Sequence, residues 1–218
     1  MRIKGYGIAL TRLTSDEIEL VREHRNSETI KQFMEYREEI SAEQQKLWFE
    51  SINNLNNNYL IIHADGKKIG LIYGSNIDWD KKETGNGGIF IWDTAYWNTP
   101  ASIAASFLLT DTSVLFGLER TYIKVLKTNK PAIAFNTSLG YRLLPGQENQ
   151  ENQQYVLHTQ DYIRCRNVLR SKIFKPADYA ELIFEVNPDD PTDRFYLERI
   201  EQLPETERAG FKVVLAAS

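Results

Sequence analysis

The sequence is poor in the residues that build disulfide frameworks, metal centres and membrane spans. Of 218 residues, one is cysteine, three are histidine and two are methionine. A lone Cys165 excludes an intrachain disulfide framework and points to a reducing compartment. It stands between Arg164 and Arg166 in an amphipathic segment, where a half-buried structural thiol is the expectation rather than a thioester-forming one. No histidine has a partner at metal-ligand spacing, which argues against a metal centre. No segment approaches the ~18 apolar residues of a bilayer span, and MRIKGYGIALTRL is too short in apolar residues for a signal peptide. A cytoplasmic protein with no membrane partner is the expectation. Long basic runs are missing too, and the formal charge is −4. The densest basic cluster, Arg164 to Lys175, brings only Arg166 and Arg170 together on a helix, so a nucleic-acid partner is not expected.

What is present, 42% hydrophobic and 26% charged residues, suits one sizeable domain with a small appendage. Gly7 to Leu13 reads as a strand. Ser15 to Arg25 reads as a helix with a capping serine and an acidic first turn. A short second helix is expected from Ser27 to Tyr36, and a third from Ser41 to Asn53 with Trp48 and Phe49 on its apolar side. Asp65-Gly66 between NYLIIHA and KIGLIYG is a hairpin signal. A strand at Ile89 to Trp92, a helical run ASIAASFLLTDTSVLF and a strand TYIKVL follow. QENQENQQ reads as a hairpin tip, and Gln160 to Lys172 as a helix. Hairpins leading into a strand-helix-strand-helix unit indicate an α+β fold. The end of the chain reads as a strand, a helix and a strand, too small for its own core. It either extends the main sheet or crosses to a second subunit.

The run from Gly88 to Tyr141 carries the most information. Its closing NKPAIAFNTSLGY, the segment Ile40, Ser41, Glu43, Trp48 and Phe49, and the opening IALTRLTSDEIELVREHRNS keep one order over roughly residues 7 to 172. Together they resemble the GNAT superfamily of N-acetyltransferases, in the branch that includes ribosomal-protein-alanine and nucleotide-amino-sugar acetyltransferases. The resemblance implies a mixed, mostly antiparallel central sheet flanked by helices. It divides the chain into an acyltransferase domain (1–173) and a C-terminal extension of the sheet or dimerisation element (174–218). It also implies acetyl-CoA as co-substrate and a small-molecule amine as acceptor; a homodimer is the assembly that a C-terminal extension crossing to a second subunit would make. SNIDWD…GIFI and NKPAIAFNTSLGY favour an amino-sugar nucleotide over a protein N-terminus. A non-catalytic ligand-binding or assembly module is the competing reading.

The family's pyrophosphate loop uses small, permissive residues whose backbone amides face the phosphates. Here that stretch reads Asn98, Thr99, Pro100, Ala101 and Ser102. Pro100 has no amide hydrogen to donate, and one lost charge-assisted hydrogen bond costs about 1.5–3 kcal/mol. Thr99 and Ser102 hydroxyls are replacement donors, although Thr99 as an N-cap and Pro100 as first helical residue is the structural alternative. By the same resemblance, backbone groups of Phe90, Ile91 and Trp92 would hold the pantetheine arm, and Asn129 would contact the cofactor or cap its helix.

For the base that frees the amine, Asp78, Asp80 and Asp93 are candidates, then His63 and Glu38, and the sequence singles out none. Asn136 stands where many family members carry a proton-donating tyrosine, with Ser138 and Tyr141 as substitutes. Acceptor contacts are expected from His24, Arg25, Asn26, Met34, Tyr36, Arg37 and Trp79. For Arg25 a helix-end ion pair is the alternative to a substrate phosphate or carboxylate.

Overall fold

The structure, a computed structural model, describes residues 1–34, 36–208 and 210–216. Among them ten strands form one sheet: β1 (Arg2–Gly5), β2 (Ile8–Arg12), β3 (Asn57–Ala64), β4 (Lys67–Asp78), β5 (Glu83–Ile91), β6 (Arg120–Leu126), β7 (Arg142–Leu143), β8 (Asn152–His158), β9 (Leu182–Val186) and β10 (Phe211–Leu215). Their order is β10-β9-β1-β2-β3-β4-β5-β6-β8-β7. Only the β5–β6 and β9–β10 neighbours are parallel. The helices are α1 (Ile18–Asn26), α2 (Glu28–Lys31), α3 (Ala42–Ile52), α4 (Ala101–Leu115), α5 (Lys130–Ser138), α6 (Thr159–Ile173), α7 (Pro176–Tyr179) and α8 (Pro191–Glu201). This is the mixed, mostly antiparallel α+β architecture that the sequence predicts. The expected second helix is shorter than its pattern, and it ran across Glu35. That residue, like Ala217 in the expected last strand, lies outside the described ones.

Local chemistry explains the elements. Asp65 and Gly66 take φ of 49° and 75°, the left-handed pair that a two-residue hairpin turn requires. Ser41 and Gln44 form a reciprocal capping box at the start of α3. Alternation along β3 then sorts the core into two layers. Leu60 and Ile62 face the larger cluster with α4, α6 and α8, while Ile61 faces a smaller one with Val21, Trp48 and Phe49.

Two features were not expected, the strand β1 and the place of Trp79, while the C-terminal strands follow one of the two courses left open for them. β1 forms a hairpin with β2 through Tyr6 and Gly7, at φ of 54° and 77°. β9 then pairs antiparallel with β1, and β10 parallel with β9, so the C-terminal strands lengthen the main sheet. Trp79, expected at the acceptor site, is packed instead under α8. Its ring meets Phe195 and Tyr196, Arg199 lies over it at 4.5 Å, and its indole donates to the Leu55 carbonyl.

α4 is fixed by a polar knot in the larger core. Asp111 is fully buried and accepts from the hydroxyls of Tyr6 (2.5 Å) and Tyr162 (3.0 Å) and from Arg166 (2.7 Å). Burial, reinforced by the Asp111 charge, raises both phenol pKa values, so each stays protonated and donates. Removing one member of a buried ion pair strands the other. Asp111→Ala is therefore expected to cost about 3–5 kcal/mol in urea denaturation, and the double change Asp111→Leu with Arg166→Met is expected to cost less.

Candidate active site

The sheet opens at one place. β6 pairs with β8 along its whole length, from Arg120↔His158 to Leu126↔Asn152, but meets β5 only at Glu83↔Arg120 and Thr84↔Thr121. Beyond Thr84 the two parallel strands diverge, and the opening holds a cavity of about 710 Å³ walled by both strands, α4 and α5.

Backbone direction along β5 follows from one hydrogen bond. The Trp92 amide donates to Ile69 O at 2.9 Å, so Trp92, and by alternation Phe90, turn their polar groups towards β4. Ile89 and Ile91 turn theirs into the opening. Of the three residues Phe90, Ile91 and Trp92, the structure thus gives only Ile91 a backbone that faces the cavity. The Ile91 carbonyl accepts the Trp97 indole at 2.8 Å, and the Ile91 amide is the group left directed inwards.

The loop leading to α4 is built from caps. Asp93 accepts from the Ala95 amide at 3.1 Å, and Asn98 is exposed at the tip. The Thr99 hydroxyl donates to Tyr96 O and accepts from the Ala101 amide at 3.3 Å. Pro100, φ −67°, stands one place before the first helical residue, and its carbonyl accepts the first helical bond, from Ala104 at 2.7 Å. The amides of Ser102 and Ile103 therefore have no acceptor among the described residues. They stand at the N-terminus of a fifteen-residue helix whose dipole favours an anion there. Further along α4, Ser106, Thr110 and Ser113 continue the line of Ser102 down the cavity wall.

α5 supplies the opposite wall. Asn129 caps it by accepting from the Ala132 amide at 3.1 Å and also lines the cavity. Asn136 lines it too, but its amide group donates back to Ala132 O at 2.8 Å. Ser138 is exposed, bonded to Phe135 O, and outside the cavity wall. Tyr141 lies in the wall, and burial raises its pKa, so the phenol is protonated at neutral pH.

A second cavity, of about 400 Å³, adjoins the first and shares Met34, Tyr73 and Phe90 with it. It lies between α1, α3 and the sheet. Tyr73 reaches the junction because its cross-strand partner is Gly88: a Cβ there would stand 2.7 Å from the phenol oxygen. Tyr59 stacks on Tyr73 at 4.7 Å. Arg25, Met34 and Tyr36 line this cavity. Asn26 does not: its side chain donates to Ile40 O at 2.8 Å and accepts from Ile40 N at 2.9 Å, which clamps the segment after α2.

The expected bases fall away from both walls. Asp78 sits at the closed end of β5, roughly 25 Å of strand from Ile91. It is paired with Lys81 at 2.8 Å, and that hydrogen bond holds its carboxyl below the usual range. Asp80 is exposed in the same turn. His63 bonds Thr11 across β2 and β3, and Glu38 is exposed. Asp93 remains nearest, capping its turn beside His24, which stacks flat on Trp92 at 4.8 Å. Burial lowers the His24 pKa, leaving a neutral imidazole at pH 7. Among the described residues, no Asp, Glu or His lines either cavity, and no group of three His, Cys, Asp or Glu could hold a metal.

Sequence reasoning named Ser102 but missed Tyr59, Tyr73 and the continuation of the Ser102 line along α4 through Ser106, Thr110 and Ser113. The last had a signal: Ser102, Ser106, Thr110 and Ser113 recur at helical spacing in an otherwise apolar run.

A sequence profile of the acetyltransferase (GNAT) domain matches residues 8–142. The chain belongs to the GNAT acetyltransferase family. No curated protein matches it by sequence. Its fold is similar to that of apo FdhC, a nucleotide-linked sugar GNAT, at 17% identity and TM-score 0.66 over 80% of this chain and 99% of that one. It is also similar to spermidine N-acetyltransferase from Vibrio cholerae in complex with CoA and spermine (16%, 0.63, 72% of this chain and 98% of that one). Mycobacterium smegmatis RimJ in complex with CoA-disulfide is a third (11%, 0.63, 79% and 94%). At these identities the likeness is one of fold. Among the described residues no helix is long and apolar enough to cross a membrane.

The loop makes a direct test available. Pro100→Gly restores a backbone donor beside the free amides of α4, and calorimetry is expected to show acetyl-CoA bound about tenfold more tightly. Unchanged affinity would place the phosphates elsewhere.

Proposed function

We propose that this GNAT-family chain transfers an acetyl group from acetyl-CoA to a primary amine by direct attack. The observation that carries the reading is the unpaired edge of β5, opening onto a cavity that runs into a second, aromatic-walled one. The residues present fit the co-substrate. The open Ile89 and Ile91 backbone suits an extended amide-containing arm, and the free Ser102 and Ile103 amides suit a pyrophosphate. Thr99 and Asn129 flank those sites.

Acetyl-CoA supplies the activated acyl carbon. The Ile91 amide is placed to polarise the thioester carbonyl, as a preorganised donor should. The amine enters from the second cavity, past Tyr73. With no carboxylate or imidazole among the described residues of either wall, its proton leaves through water, with Asp93 and His24 as the nearest acceptors beyond. Tyr141, protonated and in the wall, is the proton donor to the departing thiolate, and Asn136 orients water beside it. An amino-sugar nucleotide is the favoured acceptor, ahead of a protein N-terminus. Residues 1–173 form the acyltransferase unit and 174–218 a sheet extension, supported by the β1–β9 pairing. The lone cysteine supports a cytoplasmic setting.

A second reading, a non-catalytic module that uses the same cleft for another ligand, is favoured by Pro100 and by the indole that already occupies the Ile91 carbonyl. Titration calorimetry with acetyl-CoA and CoA separates the two. Micromolar binding is expected, whereas none at millimolar concentration would leave the non-catalytic module. CoA release with UDP- and dTDP-amino sugars is then expected to exceed that with N-terminal peptides, and the reverse order would make the protein N-terminus the acceptor. Tyr141→Phe is expected to lower kcat about tenfold with acetyl-CoA affinity retained. An unaltered kcat would assign the proton to water alone.

A further inference from the structure

Among the described residues, the second cavity contains a cation with no carboxylate to neutralise it. Arg25 is half-buried in the wall, and one of its nitrogens, Nη2, donates to Tyr36 O at 3.0 Å. A guanidinium has five N–H donors, and no other acceptor for Arg25 stands among the described residues. Its neighbour on the same helix is the opposite case. Arg22 is engaged by both Glu19 oxygens and by Ile40 O. Arg166 and Arg120 are likewise matched, by Asp111 and Glu83, whereas Arg199, half-buried, is covered by the Trp79 and Phe195 rings instead of a carboxylate. Burial lowers the Arg25 pKa, and no carboxylate among the described residues opposes that shift. A half-buried guanidinium is costly to keep unless an anion arrives to meet it.

The walls around it are flat and aromatic. Trp48 meets Tyr59 edge to face at 5.2 Å and 88°, and Tyr59 stacks on Tyr73 at 4.7 Å and 11°. Burial, with Tyr73 adding to it, pushes the Tyr59 phenol up to about 12, so it remains a donor at neutral pH. Arg25 is the only fully charged side chain in this wall among the described residues. Such a surface favours a planar ring and repels a polycation. About 400 Å³ holds a ring with one charged substituent.

We propose that the acceptor amine carries an oxyanion, phosphate or carboxylate, attached to a planar ring. Arg25 binds the oxyanion, the Trp48–Tyr59–Tyr73 wall packs the ring, and the amine end reaches the junction at Tyr73. The assignment of this group to the acceptor rests on the acyltransferase reading, whereas the anion site itself is tested without acetyl-CoA. Polyamines are excluded as acceptors on the same grounds.

The test is titration of intrinsic tryptophan fluorescence with benzyl phosphate, phenylacetate and spermidine, on the full chain and on Arg25→Met and Arg25→Lys. Saturable binding of benzyl phosphate, phenylacetate or both is expected, and which of them binds tells a phosphate ester from an acid. Arg25→Met is expected to weaken that binding about ten- to a hundred-fold. Arg25→Lys, which keeps the charge without the planar fork, is expected to fall between. A thermal melt of each variant shows whether it is folded. If Arg25→Met unfolds, Arg25→Lys and competition by inorganic phosphate on the unaltered protein carry the test. Saturable spermidine binding, equal affinity of both anions for folded Arg25→Met, or no anion binding at millimolar concentration would overturn the proposal. Loss of acetyl-CoA binding alone would overturn the transferase reading and leave the anion site standing.

Discussion

A parallel strand pair that cannot stay paired sets the terms for the rest of the molecule. β5 is held along its length by β4, and β6 by β8, so neither is free to swing across and close the gap that begins after Thr84. Backbone groups on the open edge of β5 still need partners, because an unsatisfied amide away from water is costly. The chain supplies one of them itself, the Trp97 indole on the Ile91 carbonyl. The remainder is an invitation to an extended molecule with amides of its own, and the neighbouring helix and pocket are arranged around that vacancy in the hydrogen-bond ladder.

The position of that helix is decided far from where it acts. α4 lines the cleft along one face, from Ser102 to Ser113, and meets the core with another, at Asp111. There Asp111 gathers hydroxyls from Tyr6 and Tyr162 and the guanidinium of Arg166. Three separate parts of the chain, the β1–β2 turn, α4 and α6, are thus cross-linked at one carboxylate. The helix end that presents the Ser102 and Ile103 amides inherits its placement from contacts on the other side of the core.

Much of this was legible in the sequence, and the exceptions have physical causes. Asp65-Gly66 announces its turn because both residues tolerate a left-handed backbone; Tyr6-Gly7 makes the same turn unannounced, because a tyrosine is rarely found there. Pro100 was readable as a missing donor. Which residues of Phe90 to Trp92 face the cleft was not, since strand phase is fixed only by the bond from Trp92 to Ile69. Trp79 misled because its partners Phe195, Tyr196 and Arg199 lie more than a hundred residues downstream, where nothing local links them to NIDWD. Arg25 was open between ion pair and ligand contact, because a local sequence window cannot show that no carboxylate among the described residues pairs with it.

Tyr6 shows what such long-range demands do to local preference. Its left-handed backbone costs about 1–2 kcal/mol relative to a glycine, yet its hydroxyl completes the shell around Asp111 at 2.5 Å. A glycine would make the better turn and leave a buried carboxylate short of a donor. The best local residue and the best global one are therefore different at this position. Drift at Tyr6 is tied to drift at Asp111, Tyr162 and Arg166, so across related sequences these four should change in concert or not at all.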